Sequence, residues 1–324
     1  MSDTKYFIAA DGGGTKLNLV LYDNSYRIIK SHSSAGINEN RKSSELIKEE
    51  IRNSMRLLLA KTGAEEIERL SVSLASKSDV LYEAVSEVCP VKEYKKYNEG
   101  KSVLLAAGTE YGIVVQAGTG SDVFIFQPNF TKIIGGLGYV IGDEGSGFDI
   151  GVQSIKAAVK AYENRGPRTL LQSLIFEKFG VRDPRDFIEN LVLKKDFKEQ
   201  VAAVTYLTAS AAKQNDEVAL GIYKDAGKVL AEQTVYAVTL IKEATRKNRP
   251  VGKIIASGGA WKGSPAMFEA FREAVISKVP DAIVEKPVFE PIIGCVVAEH
   301  LENGNSYDEI VPVIKKNFRD YLYA

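Results

Sequence analysis

The sequence predicts an α/β chain of two domains with a duplicated fold, and three observations carry that reading. At 324 residues the chain exceeds what one hydrophobic core ordinarily organises. An apolar strand that ends in a glycine-rich turn and leaves it as another strand occurs twice, about a hundred residues apart. Strand-like runs and stretches of helical spacing share the remainder of the chain.

Tyr6 to Ala10 is a short apolar run that stops at Asp11-Gly-Gly-Gly14. Leu17 to Asp23 is rich in strand formers, and Ile28-Ile29 follows as a third strand. Ser44 to Lys61 sets Leu46, Ile47, Ile51, Met55, Leu58 and Leu59 on one face, the spacing of an amphipathic helix. Arg69 to Ala75 reads as a buried strand and Asp79 to Val88 as a short helix. Ile113 to Ala117 and Val123 to Phe126 flank the second turn, Gly118-Thr-Gly-Ser121. Helical spacing then covers Ile150 to Tyr162, Arg168 to Phe179, Pro184 to Leu193 and Val218 to Lys247. Lys253 to Ala256 is a late strand opening into Ser257-Gly-Gly-Ala260, and Tyr307 to Tyr321 closes the chain as a helix. The apolar surplus between Ile150 and Val238 reads as core, with a subunit interface as the alternative.

Composition narrows the function. Forty-two basic residues balance forty-two acidic ones, so the chain lacks the broad positive field that non-specific nucleic-acid binding needs. No run approaches the ~18 apolar residues of a membrane span, and no secretory leader is evident, so a cytoplasmic location is expected. Cys89 and Cys295 stand far apart among apolar residues and read as core filler; two histidines are too few for a histidine metal site.

The glycine turns carry the chemistry. Asp11-Gly-Gly-Gly-Thr15-Lys16 leads into a strand, whereas phosphate loops of the GxxxxGK[ST] and GxGxxG kinds open a helix. The unit is therefore a hairpin. Its glycines Gly12, Gly13 and Gly14 allow a phosphate to approach backbone N–H groups, and Thr15 adds a hydroxyl. Asp11, leaving a buried strand, is placed to hold hydrated Mg²⁺. One such turn is also what an ordinary tight hairpin looks like. Two, with a third glycine turn at Gly258-Gly259, suit a single nucleotide.

These segments, with Gly135-Gly-Leu-Gly138 and Gly142-Asp-Glu-Gly-Ser146, resemble the N-acetylglucosamine kinase family in the same order. That family is a branch of the sugar kinase, heat-shock-70 and actin superfamily, and it is shared with ATPases that activate acyl-CoA reductases and dehydratases. The resemblance implies a duplicated ribonuclease H-like, actin/hexokinase-type fold of two domains with an interdomain nucleotide cleft. The expected domains are 1–113 with 303–324, and 114–302. It implies ATP and Mg²⁺, with Asp11 on the metal side and Gly12, Gly13, Gly14, Thr15, Lys16, Gly118, Thr119, Gly120 and Ser121 at the phosphates. Gly258 and Gly259 would lie against adenosine. Asn38, Thr119, Asp122, Gly136, Leu137, Asp143 and Gly147 would form the sugar site.

Asp143-Glu144 also has an ordinary reading as a solvated turn, but Tyr139-Val-Ile141 and Phe148 flank it with apolar residues. A carboxylate suits a sugar because it accepts from vicinal hydroxyls. For the base, the resemblance points to Glu99, where the family carries an aspartate. Glu99 is open to three readings: the base for a repositioned acceptor, one mark of a site that only hydrolyses or senses ATP, or a solvated loop acid. The functions that follow are a small-molecule kinase for an amino sugar, expected as a homodimer, or an ATPase or nucleotide sensor without sugar transfer. An iron–sulfur cluster, used by activator ATPases, would need partner cysteines that Cys89 and Cys295 lack.

Overall fold

A computed structural model describes residues 4–12, 16–37, 43–74, 78–245 and 250–323. The chain divides into one unit made of Met1–Glu110 with Pro287–Ala324 and a second made of Tyr111–Lys286.

In the first unit β1 (Tyr6–Gly12), β2 (Lys16–Asp23) and β3 (Ile28–Ala35) form an antiparallel meander. α1 (Ser44–Leu59) leads to β4 (Ile67–Leu74), and α2 (Ser78–Ser86) leads to β5 (Val91–Tyr97). Both strands return parallel, giving the order β3-β2-β1-β4-β5. α3 (Glu99–Ala106) follows. Burial has the two-residue period of a sheet covered on both faces. Ile8, Ala10, Leu19 and Leu21 pack with Ile47, Ile51 and Met55 of α1, while Phe7, Ala9, Val20 and Tyr22 face the other way.

The second unit repeats this plan. β6 (Gly112–Ala117), β7 (Ser121–Gln127) and β8 (Phe130–Gly135) form a second meander. α4 (Gly147–Tyr162), α5 (Leu170–Phe179), α6 (Phe197–Lys213) and α7 (Glu217–Ala244) occupy the place that α1 alone fills in the first unit. β9 (Lys253–Ser257) then pairs parallel with β6, and α8 (Pro265–Lys278) leads to β10 (Ile283–Glu285). The order β10-β9-β6-β7-β8 matches the first sheet strand for strand and direction for direction. Each glycine-rich hairpin joins the first and second strands of its sheet.

The chain ends in α9 (Ile292–Glu302) and α10 (Tyr307–Asn317) of the first unit. Ile293, Val296, Val297, Ile310 and Ile314 cover Phe7, Ala9, Val20 and Tyr22. Residues 287–302, expected in the second domain, therefore belong to the first unit. The physical reason is α9, whose apolar residues complete the second face of that sheet. A Cβ on Gly294 would lie 2.0 Å from the Ser102 carbonyl oxygen, so α9 and α3 meet backbone to backbone.

Several elements depart from the sequence expectation. β5, α3, β8, α6, α8, β10 and α9 were not anticipated. β5, with Lys92, Glu93, Lys95 and Lys96, lacks an apolar stripe because it is an edge strand, where charge discourages further pairing. Pro184 to Leu193 is not one helix but a 3₁₀ turn at Pro184–Asp186, capped by Asp183, followed by a π turn at Ile188–Val192. The closing helix stops at Asn317 and gives way to a 3₁₀ turn at Arg319–Tyr321. Cys89 and Cys295 are buried and unbonded to each other. Among the described residues no helix is long and apolar enough to cross a membrane.

Candidate active site

In the first unit β1 delivers Asp11 to the strand end, opposite Asn18 on β2 and Ser73 on β4. A Cβ on Gly12 would lie 2.3 Å from the Lys16 carbonyl oxygen, so the hairpin closes only on glycine at that position. Gly13, Gly14 and Thr15 lie outside the described residues, as does Asn38. Glu99 is not a loop acid. It is the first residue of α3, and the Asn98 side chain caps that helix by accepting the Gly100 N–H at 2.9 Å.

Asp11 and Glu99 share one electrostatic neighbourhood with a third acid that sequence reasoning missed, Glu290. Burial first, then Glu99 and Glu290, push the Asp11 carboxyl up to about 7, while Lys16 and Ser73 pull it back. Glu290 immediately precedes Pro291 and α9, and its N–H donates to the Tyr321 carbonyl at 2.8 Å. The close approach of α9 to α3 at Gly294 brings this residue to the site. A signal existed in the sequence: an acid before a proline at the head of an apolar run containing glycine. The negative charges of Glu99 and Glu290 act on Asp11, and a cation beside it would offset them. Among the described residues no three His, Cys, Asp or Glu side chains are placed to hold one ion together. Of this set Asp11, at the end of β1, is the carboxylate that a hydrated divalent cation could take, its other ligands coming from water and phosphate.

In the second unit the turn between β6 and β7 is closed by the Gly118 N–H donating to the Gly120 carbonyl at 2.8 Å. The first N–H groups of α4 are spent on this turn: Gly147 donates to the Gly118 carbonyl at 2.8 Å and Phe148 to the Thr119 carbonyl at 3.2 Å. Ser146 caps the same helix by accepting the Asp149 N–H, and the Ser121 hydroxyl donates to the Glu144 carbonyl at 2.8 Å. A helix N-terminus so occupied supports the glycine turn rather than a phosphate. Among the described residues no heavy atom beyond the glycine and its chain neighbours lies within 4 Å of where a Cβ would sit on Gly118 or Gly259, so backbone is open there. Gly258, at φ +116°, sits where a Cβ would be 2.4 Å from the Ala117 carbonyl oxygen. The turn after β9 therefore lies directly against the turn after β6.

The acidic pair divides. Asp143 is buried at 4% exposure, with φ +59°, while Glu144 is exposed and accepts from Gln233 Nε2 at 3.2 Å. A Cβ on Gly120 would lie 2.8 Å from Asp143 Oδ2, and one on Gly136 only 1.7 Å from Asp122 Oδ1. Glycine at these two positions lets Asp143 pack against the β6–β7 turn and Asp122 against the turn after β8. Burial and then Asp143 raise the Asp122 carboxyl above its ordinary value, and Lys198 opposes them. Lys198 Nζ stands 3.8 Å from Asp143 Oδ2. The flanking residues depart from expectation: Phe148 is buried, but Leu137, Tyr139, Val140 and Ile141 are exposed, because Asp143 turns inward between them and α4. Lys198 was missed because α6 itself was not anticipated.

The structure thus brings Asp11, Lys16 and Glu99 together in one unit. In the other it gathers Gly118, Thr119, Gly120, Ser121, Asp122, Gly136, Asp143, Gly147, Gly258 and Gly259 at one end of the sheet. Known proteins match this architecture end to end. The N-acetylmuramic acid/N-acetylglucosamine kinase of Clostridium acetobutylicum is 25% identical over 308 residues, covering 92% of this chain and 99% of the relative. The N-acetyl-D-glucosamine kinase of Dictyostelium discoideum is 23% identical over 318 residues, covering 90% and 96%. A ROK family glucokinase from Streptomyces griseus, solved with glucose and AMPPNP, is 16% identical with a TM-score of 0.57, over 93% of this chain and 100% of that one. That likeness, with the repeated sheets, shows the duplicated two-domain fold of the actin/hexokinase type. Matched by the family's sequence profile over residues 10–298, from the end of β1 into α9, the chain belongs to the BadF/BadG/BcrA/BcrD ATPase family.

Proposed function

We propose that this protein is an ATP-dependent kinase that phosphorylates a hydroxyl of a small amino sugar, N-acetylglucosamine-like or glucosamine-like. The observation that carries the reading is the burial of Asp143 against Gly120 of the Gly118–Gly120 turn, with half-buried Asp122 beside it against Gly136. A turn with open backbone suits phosphate, whereas a buried carboxylate beside it, with a second half-buried one nearby, suits the vicinal hydroxyls of a polyol. The curated relatives, sugar kinases matched along nearly their whole length, support it.

In this reading Gly12, Gly13, Gly14, Thr15, Lys16, Gly118, Thr119, Gly120 and Ser121 serve the phosphates, and Gly258 and Gly259 serve adenosine. Asp11, with Glu99 and Glu290 nearby, is the residue to hold hydrated Mg²⁺. The ion supplies charge neutralisation to the phosphates. Asn38, Asp122, Gly136, Leu137, Asp143 and Gly147 orient the sugar. Glu99 accepts the proton of the acceptor hydroxyl as its oxygen bonds to the γ-phosphorus and the β–γ bridging bond breaks. The capped α3 N-terminus holds the backbone of Glu99 in place for that role. A cytoplasmic homodimer with a boundary between domains near residue 110 completes the proposal.

The test is ADP release from Mg-ATP with and without a panel of amino sugars and hexoses, run on the wild type and on Glu99→Gln. Acceptor-dependent release that falls about 10²- to 10⁴-fold in the variant, with nucleotide binding retained, is expected for loss of a general base. Release indifferent to every acceptor would place the protein with ATPases that do not transfer to sugar.

A further inference from the structure

Two close contacts hold α6 against α4, the helix that follows the loop carrying Asp143. A Cβ on Gly151 would lie 2.0 Å from the Val201 carbonyl oxygen, so α4 and α6 touch through their backbones. A Cβ on Gly147 would lie 3.4 Å from Thr205 Oγ1, and the Thr205 hydroxyl donates to the Gly147 carbonyl at 2.8 Å. Phe197, the first residue of α6, stacks edge-on to Phe148 at 5.8 Å and to Tyr139 at 6.4 Å between ring centroids. The next residue is Lys198. Its ammonium is held from two sides, 3.8 Å from Asp143 Oδ2 and 5.5 Å from the centre of the Tyr139 ring.

We propose that Lys198 is a positioning residue of the acceptor site: its ammonium orients the Asp143 carboxylate so that the remaining oxygen lone pairs accept from sugar hydroxyls. The inference rests on the sugar-binding part of the sugar-kinase reading and deepens it. Asp143 has only 5% of its side chain exposed, and a carboxylate so withdrawn from water needs both a counter-charge and hydrogen-bond donors. At 3.8 Å the ammonium supplies the charge without a short hydrogen bond, which leaves Oδ2 as well as Oδ1 able to accept. The Lys198 side chain is 35% exposed, so it reaches Asp143 from the solvent side. Among the described residues, the charged and titratable groups that interact at this point are Asp122 from β7, Tyr139 and Asp143 from the loop after β8, and Lys198 from α6. Asp149 of α4 is taken up by the Gly145 N–H at 2.9 Å, and Glu144 turns outward to Gln233.

The experiment compares wild type, Lys198→Met and Lys198→Arg by steady-state kinetics and by calorimetric titration with N-acetylglucosamine in the absence of ATP. Losing the orienting charge is expected to raise the sugar KM and weaken sugar binding about tenfold in Lys198→Met, with kcat and the ATP KM changed less than about threefold. The acid limb of kcat/KM for the sugar should move to higher pH, because Lys198 offsets burial and Asp143 at Asp122. Lys198→Arg should restore most of the affinity. Unchanged sugar affinity in Lys198→Met would overturn the proposal while leaving the kinase reading intact. A wild type that binds sugar without phosphorylating it, with binding weakened in Lys198→Met, would overturn the kinase reading and support this one. Absence of sugar binding by the wild type would overturn both.

Discussion

Asp11 behaves as it does because of where β1 ends and which acids the fold brings to it. Its carboxyl moves from an ordinary 3.8 to about 7, so between those values the folded chain holds a proton that the unfolded chain has released. Stability therefore falls as pH rises through that window. Melting scans from pH 4 to 8 without divalent cations should show a declining Tm, and Asp11→Asn should flatten the decline. Glu290→Gln, which removes one source of repulsion, should shift the decline to lower pH. Because only the ionised carboxyl binds a cation well, MgCl₂ should raise the wild-type Tm more at pH 8 than at pH 5 and have little effect on Asp11→Asn. Equal shifts in both proteins would detach the ion from Asp11.

At the scale of elements, close helix contacts decide which residues reach the two sites. Gly294 lets α9 close on α3 and brings Glu290 towards Asp11, while Gly151 lets α6 close on α4 and brings Lys198 towards Asp143. An alanine Cβ at either position would collide with a carbonyl oxygen at 2.0 Å, and a backbone atom cannot swing aside as a flexible side chain can. Gly294→Ala and Gly151→Ala should each cost about 2–3 kcal/mol, the upper range for overpacking, when measured by urea unfolding. Gly180, the left-handed residue that ends α5, offers the contrast: space is open around it and φ is +62°. Gly180→Ala should cost about 1 kcal/mol, the penalty of left-handed backbone alone. Equal losses at Gly180 and Gly294 would mean that the helix contact is not the controlling feature.

For the whole molecule, the two units differ in how the chain builds them. Tyr111–Lys286 is one continuous segment, whereas the first unit closes only when 287–324 returns to it. Without α9 and α10 the face formed by Phe7, Ala9, Val20 and Tyr22 loses most of its cover. A fragment of 111–286 should fold alone with a cooperative thermal transition. A fragment of 1–110 should remain unfolded or aggregate until 287–324 is supplied as a peptide. Cooperative folding of 1–110 by itself would show that α1 and α2 suffice for the first sheet.

Sequence alone was enough to read the glycine hairpins, the duplication, and the acid at the end of the first strand, because these depend on neighbours along the chain. Gly12 between Asp11 and Lys16, or Gly118 to Gly120 between two apolar strands, declares a strand–turn–strand unit within a few residues. Asp143 was legible as a carboxylate worth noting, although of the flanking residues from which its burial was inferred only Phe148 is buried and Tyr139, Val140 and Ile141 are exposed. The elements that escaped were those stabilised by tertiary packing or by a sheet edge: β5 with its charged faces, and α9, whose nearly uniform hydrophobicity hides any helical stripe. The residues that escaped with them were Glu290 and Lys198. Each lies far along the chain from the group it acts on, 279 positions beyond Asp11 and 55 beyond Asp143. Only the close packing of α9 on α3, and of α6 on α4, sets them where their charges matter. Charge and hydrogen bonding act over a few ångströms of space, and only the folded chain decides which distant residues come that close.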